Sequence, residues 1–381
     1  MSSWKQKSLS WKTMPLASSS LFFAGVFCLF ASLILIGSSM NPRSQSAGEM
    51  ISGIFIGGFF AMLWAYAGTR RLIWWFLILG PLEAVTFSIQ ASLVGAHQIL
   101  TGPDLAHKLQ RNGYVEIALL VAAYIAFVSF FNREGSRFFR TQTEVRLAGE
   151  IHRAMVPPKH QTIGNIEFFG TAIPSSEVGG DLFDIVETGP TWHAYVADVS
   201  GHGVAAGILM SMIKSTAAMQ LTKLNKPHEL LADINDVMLP LTATANYLTF
   251  AYVSGSDAQQ LNFALAGHLP ILHYQAQTKT ILEHSDTNVP LGLFKDQAFT
   301  ISQLSLAAGD LLAIVTDGFT EVFDSKENEL GMEQLKSMLL THAEKSLPEI
   351  HHNLRAAALA FGKQSDDQTM LLIRRAQSAT K

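Results

Sequence analysis

Residues Val196 to Met210, "VADVSGHGVAAGILM", read as an apolar strand, a glycine-rich turn and an apolar helix. Gly201, Gly203 and Ala206 fit the spacing G-x-G-x-x-A, which in a dinucleotide-binding fold cradles a pyrophosphate. Yet an aspartate, Asp198, stands where the strand runs out. The stretch therefore poses a choice between holding a nucleotide and positioning a carboxylate. The downstream residues argue against the nucleotide. The chain stays helical through "HELLADIND", so the second strand ending in a ribose-binding acid is missing.

Around this stretch, from about Ile163 onward, short β-like runs alternate with helices. The runs are "IEFFGTAI", "WHAYVADV", "YLTFAYVSG", "LNFALAG", "LLAIVTDG" and "TMLLIRR". Helices are predicted over Val204 to Leu221, His228 to Leu239 and Met332 to Thr341. Close spacing of some runs favours hairpins, and the pattern predicts one α+β domain with largely antiparallel sheets.

Aspartates recur at the strand ends. Asp181 follows two glycines in "EVGGDLFD", Asp198 ends "YVAD", Asp317 ends "LLAIVTD", and Asp366 with Asp367 opens "DDQTMLLIRR". One such residue is an ordinary turn residue. If the strands are neighbours, however, their ends gather like charges in one cleft, where each carboxylate raises the others' pKa. A bound dication relieves that repulsion. Oxygen donors without cysteine or a histidine cluster favour Mg²⁺ or Mn²⁺ over zinc. Two such ions about 4 Å apart activate a water and hold a phosphoryl group.

The N-terminal third is different. The 381 residues are 48% hydrophobic and only 15% charged, and the shortage of charge is concentrated before Phe131. Four runs, roughly Ser19 to Ser39, Met50 to Gly68, Leu72 to Val94 and Tyr114 to Phe131, are each near the ~20 residues that cross a bilayer. Pro81 and Glu83 interrupt the third. Lys5, Lys7 and Lys12 precede the first run, Arg70 and Arg71 lie between the second and third, and Arg133, Arg137 and Arg140 follow the fourth. By the positive-inside rule both termini are expected in the cytoplasm, with Lys108 and Arg111 in the third loop weakening that assignment. Glu83 reads either as a functional intramembrane acid or as an interfacial or neutral, hydrogen-bonded group. The net charge of −4 gives no sign of nucleic-acid binding, and the single cysteine, Cys28, excludes an internal disulfide.

Between the two parts, Leu147, Ile151 and Met155 form a stripe at i, i+4 and i+8, ended by Pro157 and Pro158. This connector is either a passive linker packed on its own domain or a helix pair across a dimer. The expected division is a membrane region over 1–132, a helical connector over 133–160 and a cytoplasmic domain over 161–381. His152, His351 and His352 fall on predicted helices and read as surface residues.

Six pieces, "EVGGDLFD", "ADVSGHGVAA", "LAGHLPILHY", "VPLGLF", "TDGFTEVFD" and "DDQT", resemble the metal-dependent PPM-type serine/threonine protein phosphatases, most closely the bacterial SpoIIE/RsbU-type branch. They occur in that family's order over about 200 residues, and "EIHRAMVPP" resembles the helix before such domains. The resemblance implies two stacked, mostly antiparallel sheets flanked by helices, and two divalent cations, Mn²⁺ or Mg²⁺. Asp181 and Asp198 would bridge the ions with help from the Val199 carbonyl, Asp317 would bind one, and Asp366 would complete that site, with Asp367 as its alternative. Asp184 would make an outer or extra-metal contact. Water held between the ions would attack phosphoserine or phosphothreonine directly. The implied substrate is a phosphorylated anti-sigma-factor antagonist or similar small regulator. The implied setting is a multi-pass protein of the cell membrane, in contact with lipid, with a homodimer through the connector helix as a further possibility. Two departures stand out. No arginine closely precedes Asp181, and the histidine many relatives use falls at Ser200 in this register. That leaves His202 as general acid or, in better accord with the register, a turn residue. His268 either lines the substrate face or packs.

Overall fold

The computed structural model describes residues 14–70, 72–93, 98–201, 203–223, 227–241, 247–256 and 259–377. Lys5, Lys7, Lys12, Arg71 and His202 lie outside the described residues. The chain divides into two compact units, Met1–Gln142 and Thr143–Lys381.

The first unit is helical. Helices α1 (Leu16–Met40), α2 (Ala47–Arg70), α3 (Ile73–Leu93) and the long α4 (Gly102–Met155) correspond to the four predicted runs, of which Val94 lies outside the described residues. Among the described residues, α1, α2 and α4 each carry a window long and apolar enough to cross a membrane. The interhelix contacts are built on small residues. A side chain at Gly57 would meet Ile34 at 2.4 Å, and one at Gly58 would meet Phe27 at 2.7 Å. Such close approach supplies van der Waals packing where no hydrophobic driving force exists between helices in lipid. Glu83 accepts a hydrogen bond from Trp64 Nε1 at 2.8 Å. Lys108 is buried, and its Nζ donates to the carbonyls of Ser38 (3.1 Å), Asn41 (2.7 Å) and Arg43 (2.8 Å). It thereby caps the carbonyl end of α1, where a cation is favoured. A lysine held in this way is a poor counter of loop charge.

The second unit places two antiparallel sheets face to face. The strands are β1 (Lys159–Ile163), β2 (Ile166–Ile173), β3 (Asp181–Thr188), β4 (Thr191–Val199), β5 (Leu248–Gly255), β6 (Gln260–Ala266), β7 (Ile271–Gln275), β8 (Thr280–His284), β9 (Ser302–Ser305), β10 (Leu311–Val315) and β11 (Gln368–Arg375). One sheet runs β1-β2-β11-β10-β7-β8 and the other β3-β4-β5-β6-β9. Helices α5 (Val204–Lys223) and α6 (Pro227–Met238) follow β4, and α7 (Gly331–His342) and α8 (Leu347–Phe361) precede β11.

Strand alternation explains the layering. On β10, Leu312 and Ile314 join the core between the sheets, while Leu311, Ala313 and Val315 face a second core. The first core continues across the other sheet to Ala206, Met210, Ile213 and Ala217 of α5. The second is closed by Leu335 and Leu339 of α7 and Leu347, Ile350 and Leu354 of α8. The sheets approach closely where β2 meets β3, since a side chain at Gly170 would lie 2.3 Å from the Phe183 ring.

By length and composition alone α5 also qualifies as a membrane span. Its apolar residues have a sheet to pack on, which reads it as a core helix.

Candidate active site

The strand pairing that builds the second sheet also assembles the acidic cluster. Asp181 opens β3 and Asp198 closes β4, and the antiparallel register sets them directly opposite one another. Like charges in that relation are destabilising. From the facing sheet, Asp317 follows β10 in a single 3₁₀ turn (Asp317–Phe319), and Asp366 and Asp367 immediately precede β11. Strands β10 and β11 are antiparallel neighbours, so these ends come together.

The turns that carry the aspartates leave little room. Gly201 and Gly203 adopt φ of 99° and 87°, left-handed values that favour glycine. A side chain at Gly180 would meet the Val199 carbonyl oxygen at 2.6 Å, and one at Gly318 the Asp367 carbonyl oxygen at 2.0 Å. The glycines of "EVGGD", "SGHG" and "TDG" therefore serve backbone geometry around carboxylates rather than a pyrophosphate.

The two aspartates before β11 have different surroundings. Asp367 is buried, and its carboxylate accepts hydrogen bonds from Ser175 N (2.6 Å), Ser175 Oγ (3.0 Å) and Gly180 N (2.7 Å). It clamps the loop before Asp181. Asp366 is exposed. Asp181 is buried and accepts from Thr316 Oγ1 at 2.7 Å, and Thr316 Oγ1 in turn accepts from Thr369 N at 3.0 Å.

Electrostatics sets this cluster apart. Burial and the neighbouring charges of Asp198 and Asp367 push the Asp181 carboxyl well above the usual range. Burial and the charges of Asp317 and Asp366 push Asp198 up to about 7. Asp317 is raised by burial and by Asp366. The exposed Glu321 is raised by burial, Asp317, Glu329 and Asp366, and extends the negative field. The charges that act most strongly on these carboxylates are those of other carboxylates. Among the described residues, no three His, Cys, Asp or Glu side chains converge tightly enough to chelate an ion as they stand. The donor chemistry nonetheless fits a hard dication: oxygen donors alone, mutually repelling, with a main-chain carbonyl beside them.

Asp184, three residues along β3, is placed elsewhere. It is buried, pairs with Lys159 Nζ and with Lys214 Nζ at 3.0 Å, and accepts from Ile185 N at 2.8 Å. Burial raises its carboxyl, but the hydrogen bond from Lys159 and the charge of Lys214 prevail and hold it below the usual range.

The histidines need correction. His152 is not a surface residue: it is 4% exposed on α4, and burial holds its imidazole below the usual range. His351 is half-buried, pairs with Thr171 Oγ1 at 2.8 Å and is pushed down to about 4 by burial and Arg355, whereas His352 is exposed as expected. His268 pairs through Nδ1 with Thr249 Oγ1 at 2.8 Å, and burial pushes it down to about 4. Thr249 is the register partner of Asp198, so its bond to His268 brings that ring to the same strand end. Sequence reading also missed Thr316. Its signal was its place directly before Asp317, at a buried strand end facing Asp181.

The family model described as Stage II sporulation protein E (SpoIIE) matches residues 188–376, a stretch that contains Asp198, Asp317, Asp366 and Asp367. The chain is similar to the phosphoserine phosphatase RsbU of Bacillus subtilis (strain 168), with 24% identity over 238 residues, 61% of this chain and 70% of that protein. It is similar to the phosphoserine phosphatase RsbP of the same organism, with 25% identity over 250 residues, 61% of this chain and 58% of that protein. Its fold is similar to the SiaA-PP2C domain of Pseudomonas aeruginosa, with a TM-score of 0.55 at 21% identity, covering 63% of this chain and 98% of that one. Over residues 188–376 the C-terminal domain matches the SpoIIE/RsbU branch of the PPM-type serine/threonine protein phosphatases.

Proposed function

We propose that the chain is a membrane-anchored phosphatase that removes phosphate from phosphoserine or phosphothreonine on a small regulatory protein of the anti-sigma-factor-antagonist type. The observation that carries this reading is the meeting of Asp181, Asp198, Asp317 and Asp366 from two sheets, where the charges that raise Asp198 and Asp317 are those of other carboxylates. Asp181, Asp198, the Val199 carbonyl, Asp317 and Asp366 would hold two divalent cations, Mn²⁺ or Mg²⁺. When bound, such ions lower the pKa of water and neutralise charge on a phosphoryl group.

The chain's own residues supply the arrangement. Asp198 and Asp181 present their carboxylates from paired strands that cannot slip without turning every side chain to the other face. Thr316 orients Asp181, and Asp367 fixes the main chain before it. This leaves the metal role to the exposed Asp366 rather than to Asp367, whose oxygens already accept from Ser175 and Gly180.

The four N-terminal helices support anchoring in the cell membrane, in contact with lipid and with the catalytic domain on the cytoplasmic side. On α4, Leu147 and Ile151 are 55% and 54% exposed, while Gly149 and His152 are buried. Met155, the third member of the connector's stripe, packs on the domain's own core, whereas Leu147 and Ile151 remain available to a second copy of the chain, which supports the homodimer for that part of the stripe.

The test is phosphate release from a phosphoserine-bearing protein by the full chain in lipid nanodiscs. Release that requires Mn²⁺ or Mg²⁺ and disappears with a chelator is expected. Phosphoprotein binding without release would identify a non-catalytic scaffold instead.

A further inference from the structure

Glu83 stands in the helical unit without a countercharge. Among the described residues its carboxylate has one hydrogen-bond donor, Trp64 Nε1 at 2.8 Å, and no cationic partner. It is the central residue of α3 (Ile73–Leu93). About 15 Å of helix therefore lies on either side of it, half of the ~30 Å hydrocarbon layer. That depth rules out the interface. A carboxylate so placed is costly and marks a partner or a cavity.

The rest of α3 shows which way the acid faces. Trp74, Leu77, Ile78 and Ile89 are exposed, as side chains against lipid are. The polar side chains turn to α2 instead. Gln90 Nε2 donates to Ser52 Oγ at 3.1 Å, so that amide is served by the protein. Glu83 lines a cavity of about 490 Å³. Ligand cavities run to roughly 300–1,000 Å³. The walls are Val26, Phe30 and Leu33 of α1 with Ala61 and Trp64 of α2, and among the described residues Glu83 is the only charged one on them. Phe30 and Leu33 are themselves exposed, so the cavity opens toward lipid.

The lining decides what fills the space. A hard inorganic cation needs several oxygen ligands and finds a single carboxylate. A neutral apolar molecule makes no use of the charge. A cation with an apolar body uses every wall. Its charge meets Glu83, its head group meets the rings of Trp64 and Phe30, and its chain lies along Val26 and Leu33. Attraction of a cation to an aromatic face is best on tryptophan and grows where water is excluded.

We propose that this cavity binds a lipophilic organic cation, a long-chain amine or quaternary ammonium entering from the lipid, with Glu83 as its counter-ion. The inference rests on the membrane-spanning reading of the helices and is independent of the phosphatase chemistry.

The experiment measures equilibrium binding of radiolabelled dodecyltrimethylammonium to the full chain in nanodiscs, with dodecanol as the neutral competitor. Wild type, Glu83→Gln, Ala65→Phe and Trp64→Phe are compared, and thermal midpoints are recorded. Wild type should bind saturably, and dodecanol should not displace the probe. Glu83→Gln keeps the size and the acceptor for Trp64 but removes the charge. It should weaken binding by about 30-fold or more, the scale of losing one partner of a desolvated charge pair. Ala65 also lines the cavity, and Ala65→Phe fills it with the carboxylate intact. That variant should lose binding too, and it keeps the test decisive if Glu83→Gln fails to assemble. Trp64→Phe retains a ring and should stay within about ten-fold of wild type. Wild-type affinity in Glu83→Gln or in Ala65→Phe overturns the proposal, as does displacement by dodecanol or the absence of saturable binding. A chain that does not incorporate into nanodiscs overturns the membrane reading and this inference with it.

Discussion

Strand β3 carries two aspartates three residues apart, and their fates are opposite. At one end Asp181 faces Asp198 across the register, near Asp367, and its carboxyl is driven up by burial and like charge. Farther along, Asp184 is nearly as buried, but Lys159 and Lys214 reach it from β1 and α5, and its carboxyl is held down. Burial is common to both, so burial alone does not mark a site. The distinction is whether the protein supplies the countercharge itself. At Asp184 it does, which is the arrangement of a structural ion pair. At Asp181 it supplies more carboxylates, an arrangement relieved by protonation or by an external cation.

The sharpest way to break this comparison is to neutralise one end at a time. Asp198→Asn should lower Mn²⁺-dependent phosphate release by about 10²–10³-fold, the loss typical of one preorganised electrostatic group. Its thermal midpoint should not fall, because a repelling charge is removed. Next, Asp184→Asn should leave the Mn²⁺ requirement unchanged and destabilise the domain by roughly 3 kcal/mol, since two lysines lose their partner. The pH dependence is set by the sign of the shift. A carboxyl lowered on folding binds its proton more weakly in the folded state. Its contribution is therefore present above the ordinary carboxylate range and is lost as pH falls through the folded value. Acid unfolding below about pH 4 should be shallower in Asp184→Asn than in wild type.

The adjacent aspartates before β11 give a smaller version of the same contrast. Asp367→Asn places an amide N–H against Gly180 N and should cost about 2 kcal/mol of stability. Asp366→Asn, at an exposed position, should stay within about 0.5 kcal/mol of wild type while losing phosphate release. The smallest effect is expected at Thr316→Val, which is isosteric and removes the donor to Asp181. About 1–2 kcal/mol of stability and a few-fold of Mn²⁺ affinity should go.

Much of this arrangement was legible in the sequence, for particular reasons. The strand-end aspartates were visible because each sits beside glycine at the end of an apolar run, and the predicted helices α5, α6 and α7 fall within two residues of the observed ones. Strand β3 was not singled out, and neither were the short strands β1, β7, β8 and β9. The short ones are four or five residues long, and β8 and β9 lie at sheet edges with largely exposed residues, so their apolar alternation is weak. His152 was misread because hydrophobic periodicity follows Leu147 and Ile151, whereas the buried positions of this part of α4 are Gly149 and His152. Glycine and histidine carry no apolar signal. The role of Asp184 was hidden for a different reason. Its lysines come from positions 159 and 214, and only the folded topology brings them to β3. Hydropathy had a similar limit. It admits both α1 and α5 as possible spans, and the sheet beneath α5 tells a core helix from a membrane span.

The proposed function turns on whether divalent cations complete the Asp181 end of β3 while the protein's own lysines complete the Asp184 end. Mn²⁺ binding isotherms of the wild-type chain, Asp198→Asn and Asp184→Asn in nanodiscs test it most directly. Wild type and Asp184→Asn should bind with the same affinity, and Asp198→Asn should lose the tight sites. Equal binding by wild type and Asp198→Asn, or loss confined to Asp184→Asn, would contradict it.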